Sequence, residues 1–249
     1  MSDPELLIRL DQLALQRGWF ETRNRAEQYI KEHGIIVAGK RVNKPGKKYT
    51  ADTTLELTEE PLKWVSRAAL KLEKALDHWH INPKEWVCID VGSSTGGFTQ
   101  LLLDRGAKLI YCVDTGTDQL HSTLRHDPRT VVLENTDIRE AQGQITQQPD
   151  GIVVDVSFIS LTRILPVLIP LAAPHTQIIT LFKPQFEVGK QHVGKNGIVR
   201  DLNRVREVAL NLIKNAELWS LEHHGTIDSP IKGGDGNTEF LMRWSVKTT

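Results

Sequence analysis

The chain has 249 residues, enough for one sizeable core and a small companion domain. Its 31 basic and 31 acidic residues cancel, so net charge points to no partner and only local asymmetry is informative. Its two cysteines, Cys88 and Cys112, each lie in an apolar run, which argues against a disulfide framework, and no apolar run is long enough to span a bilayer.

The opening "MSDPELLIRLDQ" is acidic first and has no basic stretch leading into an apolar one, so no signal peptide is expected and a cytoplasmic location fits. Residues 1–60 read as a small α+β domain. A helix is predicted from Leu6 to Arg17, then a turn at Gly18, then a second helix opened by Thr22 as N-cap and closed by Gly34. Two short strands follow, "IIVAGKRV" bent at Gly39, and "TTLEL". Between Arg9 and Lys48 ten basic residues face four acids, a local excess hidden by the overall balance. Residues 61–65 read as a linker.

From residue 66 to 249 strands and helices alternate, which predicts an α/β domain with a largely parallel sheet and helices on both faces. A helix is expected over Ser66 to His78. Strands are expected at Trp86 to Asp90, Lys108 to Asp114, Thr130 to Glu134, Gly151 to Asp155 and Gln177 to Phe182, with a final pair at Gly225 to Asp228 and Thr238 to Val246. The main remaining helices are Gly97 to Arg105, Leu161 to Leu171 and Leu202 to Leu218.

"WVCIDVGSSTGGFTQLLLDRG" is a strand, a glycine-bearing turn and a helix. Glycines there let a ligand approach the backbone, and the helix start offers free N–H groups. The turn does not have the G-x-G-x-x-G spacing of a dinucleotide fingerprint, which disfavours a nicotinamide-dependent oxidoreductase. It fits better a loop for S-adenosyl-L-methionine, a cation with no phosphate to cradle. The candidate contacts are Asp90, Gly92, Ser93, Ser94, Gly96, Gly97 and Phe98. The next strand ends in Asp114, placed to accept ribose hydroxyls, and a third in "LENTDIRE", which offers Asp137 to an adenine amino group. The plainer reading of these acids is that they cap helices or solvate a rim.

Asp155 ends the fourth strand and Lys183 the fifth, so adjacent strands would bring a carboxylate and an ammonium together, either as reacting groups or as a structural ion pair. Lys71, sharing a helical face with Ser66 and Arg67, and Glu239, on the last strand beside apolar Phe240 and Leu241, are candidates to join them. The stretch "PQFEVGKQHVGKNGIVRD" reads as a mobile basic loop, or as an ordinary solvated connection.

The motifs "RLDQLALQRG", "VSRAALKL", "DVGSSTGGFT", "VDTGTDQL", "DVSFISL", "LFKPQFEVGK", "GKNGIVRD" and "GDGNTEF" give the chain a nearly end-to-end resemblance to the TlyA-type rRNA methyltransferases. Their catalytic domain is similar to the FtsJ-type ribose 2′-O-methyltransferases, with a Rossmann-like class I methyltransferase sheet. The N-terminal module resembles the small RNA-binding domain of ribosomal small-subunit protein four and bacterial pseudouridine synthases. The resemblance implies a Lys-Asp-Lys-Glu tetrad at Lys71, Asp155, Lys183 and Glu239, with Asp155 also beside the cofactor. It implies methylation of a ribose 2′-hydroxyl in ribosomal RNA, on cytidine, with ribosomal RNA or ribosomal subunits as partner and no membrane or metal site. Lys183 is then the expected proton acceptor. A lysine does this only when unprotonated, a state favoured by desolvation and by the nearby cation of Lys71. RNA contacts are expected from Arg9, Arg17, Arg23, Arg25, Lys40, Lys44, Ser66, Arg67, Lys190 and Lys195. Two positions depart from the usual pattern: Ala38 and Asp137 stand where members commonly have Asn. A non-catalytic ribosome-assembly protein would predict an eroded tetrad, and a membrane-active haemolysin an amphipathic membrane-seeking stretch; the sequence has neither.

Overall fold

The computed structural model describes residues 6–247; the acidic opening, residues 1–5, lies outside them. The chain divides into two compact units, one through Lys63 and one from Trp64.

The first unit contains β1 (Ile8–Arg9), α1 (Leu10–Gln16), α2 (Arg23–Glu32), β2 (Ile35–Val37), β3 (Lys40–Val42), β4 (Lys48–Tyr49) and β5 (Leu55–Leu57). The first helix starts four residues later than the apolar spacing predicts, because Ile8 and Arg9 pair antiparallel with Tyr49 and Lys48 instead. Thr22 caps α2 as expected, its hydroxyl accepting from the Arg25 N–H, and the helix gives way to Gly34 in the left-handed region. Ala26, Tyr29 and Ile30, spaced to share one face of α2, pack with Leu10, Leu13 and Ala14 of α1. β2 pairs with β3 through a tight turn at Ala38-Gly39, both at positive φ, and on its other side with β5.

The second unit contains α3 (Ala68–His78), β6 (Val87–Val91), α4 (Gly97–Asp104), β7 (Leu109–Val113), α5 (Ser122–Arg125), β8 (Thr130–Leu133), β9 (Gly151–Val154), α6 (Leu161–Leu168), β10 (Gln177–Phe182), α7 (Pro184–Glu187), α8 (Leu202–Leu218), β11 (Leu221–Asp228) and β12 (Phe240–Val246). Seven strands form one sheet in the order β11-β12-β10-β9-β6-β7-β8, in which β12 alone runs against its neighbours. Val87, Ile89 and Val91 of β6 join the core lined by α6 and α8, whereas Asp90 points to the opposite face and meets Thr99 of α4. Helices thus cover both faces, as the alternation predicts. The carboxyl ends of β6, β7, β9 and β10 lie at one edge, and the reversed β12 presents its amino end there too. That edge is where open α/β sheets bind ligands.

Three local features differ from the sequence reading. β11 begins at Leu221, because the polar "LEHH" stretch pairs with β12 through a register shift between His223 and Gly225. Helix α3 starts two residues later than predicted, with Arg67 as its N-cap and Ser66 just before it. The segment after Lys183 carries α7 and two 3₁₀ turns, Lys190–His192 and Lys195–Gly197.

Candidate active site

The turn after β6 is built around close backbone approach. Gly92 has φ of 81°, and a Cβ there would lie 2.5 Å from the carbonyl oxygen of Asp155, so no other residue fits without moving the loop after β9. Asp90 is fully buried beneath this turn. Its Oδ2 accepts from the Thr99 hydroxyl at 2.6 Å, but its Oδ1 has no partner in the protein. Burial, reinforced by the charges of Asp155 and Asp114, pushes the Asp90 carboxyl up to about 7 against the pull of the Thr99 bond. An unpartnered buried carboxylate oxygen is a fit for the cationic group of a ligand.

A cavity of about 490 Å³ opens beside the turn, lined among others by Gly92, Ser94, Asp114, Asp137, Asp155 and Ser157. A smaller one of about 190 Å³ shares Gly92, Ser94, Asp155 and Ser157 with it and adds Ser66, Asp90, Ser93, Gly97, Phe98 and Lys183. Of the predicted loop residues only Gly96 lines neither; it is the left-handed N-cap of α4. Asp114 uses its two oxygens to accept from the Ser94 and Gly116 N–H groups, at 2.8 and 2.7 Å, which fixes it in the cavity wall with lone pairs to spare. Asp137 is committed to Arg139, whose guanidinium holds its carboxyl below the usual range. Its departure from the commoner Asn is thus matched by a local ion pair.

The two charge pairs form at the same edge. Lys183 Nζ lies 2.6 Å from Asp155 Oδ1, in a direction that makes an ion contact but not a hydrogen bond; its hydrogen bond goes to Ser157 Oγ at 3.0 Å. Lys71 donates to Glu239 Oε2 at 2.6 Å, and both residues are buried. Strand register links the pairs. In the antiparallel β10–β12 ladder the last pair is Phe182 with Phe240, and Lys183 and Glu239 are the residues that flank it, one just after β10 and one just before β12. Gly233 makes room for that carboxylate: a Cβ on it would strike Glu239 Oε1 at 2.4 Å.

The FtsJ-like methyltransferase family pattern matches residues 64–245. The chain belongs to this family. An S4 domain precedes the methyltransferase domain at residues 8–55. Over 96% of its length the chain is 38% identical to the 16S/23S rRNA (cytidine-2′-O)-methyltransferase TlyA of Mycobacterium tuberculosis, covering 90% of that protein. It is 46% identical, over 94% of its length and 84% of the relative's, to a candidate rRNA methyltransferase, YqxC, of Bacillus subtilis. A solved candidate hemolysin from Streptococcus thermophilus superposes with a TM-score of 0.77 at 40% identity, covering 99% of this chain and 90% of that one. Among the described residues no helix is long and apolar enough to cross a membrane.

In the S4 unit of this FtsJ-like methyltransferase the predicted basic residues divide by what holds them. Arg9 and Arg23 both turn onto Asp11, which is fully buried, at 2.6 and 3.2 Å. Arg17 donates to the Ala51 and Thr53 carbonyls, and Arg25 to Glu21 and the Leu62 carbonyl. Lys40 and Lys44 are exposed, as are Arg67, Lys190 and Lys195 of the second unit, while Ser66 is half-buried in the small cavity wall.

Two residues that shape the site escaped the sequence reading. Ser157 is an inconspicuous serine two residues past Asp155. Glu134 accepts a two-pronged contact from Arg125 and the N–H groups of Asp118, Gln119 and Leu120, which hold its carboxyl down to about 2. It thereby fixes the loop that carries Gln119 into the larger cavity. Its position at a strand end was legible; its backbone partners were not.

Proposed function

We propose that this FtsJ-like methyltransferase transfers a methyl group from S-adenosyl-L-methionine to the 2′-hydroxyl of a ribose in ribosomal RNA, on cytidine, in the cytoplasm. The observation that carries the reading is the Lys183–Asp155 pair in the wall of the smaller cavity, with Glu239, bonded to Lys71, just before β12 as Lys183 is just after β10. The activity named for the Mycobacterium tuberculosis relative supports it.

Bound S-adenosyl-L-methionine supplies an already activated methyl group, so the protein's tasks are alignment and removal of one proton. Asp90, with its open Oδ1, receives the positively charged amino acid end, and Asp114 accepts from the ribose hydroxyls. At the acceptor end, Lys183 is assigned as the group that takes the proton of the RNA hydroxyl as that oxygen attacks the methyl group. The carboxylate of Asp155 at 2.6 Å then stabilises the ammonium so formed, and Ser157 keeps Nζ aimed. Glu239 neutralises Lys71 at 2.6 Å, so the bare Lys71 cation expected to act on Lys183 is not what the fold provides; the two form a fixed dipole instead. Exposed Lys40, Lys44, Lys190 and Lys195 hold RNA phosphates, anchoring the substrate and leaving base readout to other groups. Ribosomal RNA or a ribosomal subunit is the partner.

Lys183→Ala tests this. It removes the proton acceptor without touching Asp90 or Asp114, so methyl transfer to RNA should fall to background while cofactor affinity stays within about twofold. Retained turnover would sink the assignment.

A further inference from the structure

The opposite edge of the same sheet, where β6, β9 and β10 begin, holds a further cavity of about 370 Å³. Its volume lies in the range of small-ligand sites. Trp79 and Trp86 line it together with Asp150, His175, Gln177 and Arg243. Neither the tetrad nor the glycine loop reaches it.

Both indoles are seated against bare backbone. A Cβ on Gly151 would come within 3.0 Å of Trp86 Cε3, and one on Gly225 within 3.4 Å of Trp79 Nε1, so the rings are held in place before any ligand arrives. Both remain partly exposed. Arg243 projects from the middle of β12, where Nε and Nη2 donate to Gln177 Oε1 at 3.0 and 2.8 Å. Those bonds fix the plane of the guanidinium and leave Nη1 uncommitted. No carboxylate pairs with Arg243 among the described residues, unlike the arginines at 105, 125, 129 and 139. The acid in the cavity, Asp150, is already engaged: Oδ2 accepts from the Val87 N–H at 2.9 Å, and Oδ1 lies 3.5 Å from His175 Nε2.

Pre-seated indoles beside a fixed, unpaired guanidinium match a flat aromatic base joined to a phosphate. We propose that this cavity binds one nucleotide unit, its base against an indole and its phosphate on Arg243, with His175 standing between that phosphate and the Asp150 carboxylate, and that the nucleotide is an unpaired residue of the substrate RNA. The choice of RNA over free nucleotide rests on the RNA-methyltransferase reading; the nucleotide chemistry does not. A nucleotide held here would anchor the strand at the far edge of the sheet from the reacting ribose.

The test is a titration of the intact protein, its cofactor site first filled with S-adenosylhomocysteine, followed by calorimetry and tryptophan fluorescence. The probes are cytidine 5′-monophosphate, cytidine, inorganic phosphate and a short single-stranded RNA. Saturable binding of the monophosphate, weaker binding of cytidine or phosphate alone, and displacement of the monophosphate by the RNA are expected. Arg243→Gln and, on the exposed loop, His175→Ala should each weaken binding by about tenfold or more, while cofactor affinity is unchanged and folding is checked by thermal melting. Absence of saturable binding up to about 10 mM monophosphate, or unchanged affinity in both variants, overturns the site. Monophosphate binding that RNA fails to displace overturns the RNA assignment. Binding is read without turnover, so it stands or falls separately from methyl transfer.

Discussion

Replacing Glu239 by leucine strands a buried ammonium. Lys71 and Glu239 side chains are 10% and 3% exposed and meet at 2.6 Å. At an effective dielectric constant of about 20 their attraction is about 6 kcal/mol, offset in part by the desolvation of both groups. Removing one partner forfeits the attraction but keeps the desolvation, which costs about 3–5 kcal/mol. For a unit of this size that lowers the melting temperature by roughly 10 °C. Lys71→Met with Glu239→Leu removes both charges, so the double variant should recover to within about 1 kcal/mol of the parent. Urea denaturation of the two single variants and the double, analysed as a double-mutant cycle, measures this directly. Methyl transfer measured on the same proteins separates structure from chemistry: the double variant should be folded and inactive. Single variants within about 0.5 kcal/mol of the parent, or an active double variant, would refute the reasoning.

Cofactor binding should depend on pH through Asp90, whose carboxyl is pushed up to about 7 by burial, from an ordinary value of 3.8. A cationic ligand favours the ionised form, so affinity should rise as pH increases toward about 7 and level off above it. Calorimetry in buffers of different ionisation enthalpy should show proton release below that point, and Asp90→Asn should flatten the profile. The same shift has a stability consequence of opposite sense. A folded value above the unfolded one stabilises the ligand-free protein at low pH, and that contribution is lost as pH rises from about 4 to about 7. RNA affinity should fall steeply with salt, with a slope of roughly 0.7 per phosphate neutralised on a single strand, and Lys40→Ala with Lys44→Ala should reduce that slope. A flat dependence would contradict anchoring by these lysines.

Much of the second unit was legible because its signals are local. "QIITLF" is an apolar run bounded by a turn and by Lys183-Pro184, and the strand occupies that run, Gln177–Phe182. Asp201 caps α8 and the apolar period carries it to Leu218 as read. The misses are nonlocal or very short. Ile8 and Arg9 continue a helical pattern and become strand only because Lys48 and Tyr49 come alongside. "LEHH" has little strand propensity of its own and is recruited by the β12 edge. The adjacency of Asp155 and Lys183 followed from consecutive strands, but the burial of Lys71 against Glu239 depends on how α3 packs, which no spacing encodes. The charge excess of the first module was visible in the sequence; that Arg9 and Arg23 spend theirs on buried Asp11 was not.

The central claim is that this chain places a methyl group on a ribose 2′-hydroxyl of ribosomal RNA using Lys183. Mass-spectrometric mapping of ribosomal RNA from undermethylated subunits incubated with S-adenosyl-L-methionine tests it most directly. The wild-type protein should add a 2′-O-methyl group at a cytidine and Lys183→Ala none. A methyl group found on a base instead of a ribose, or an unchanged map with the wild-type protein, would contradict the account.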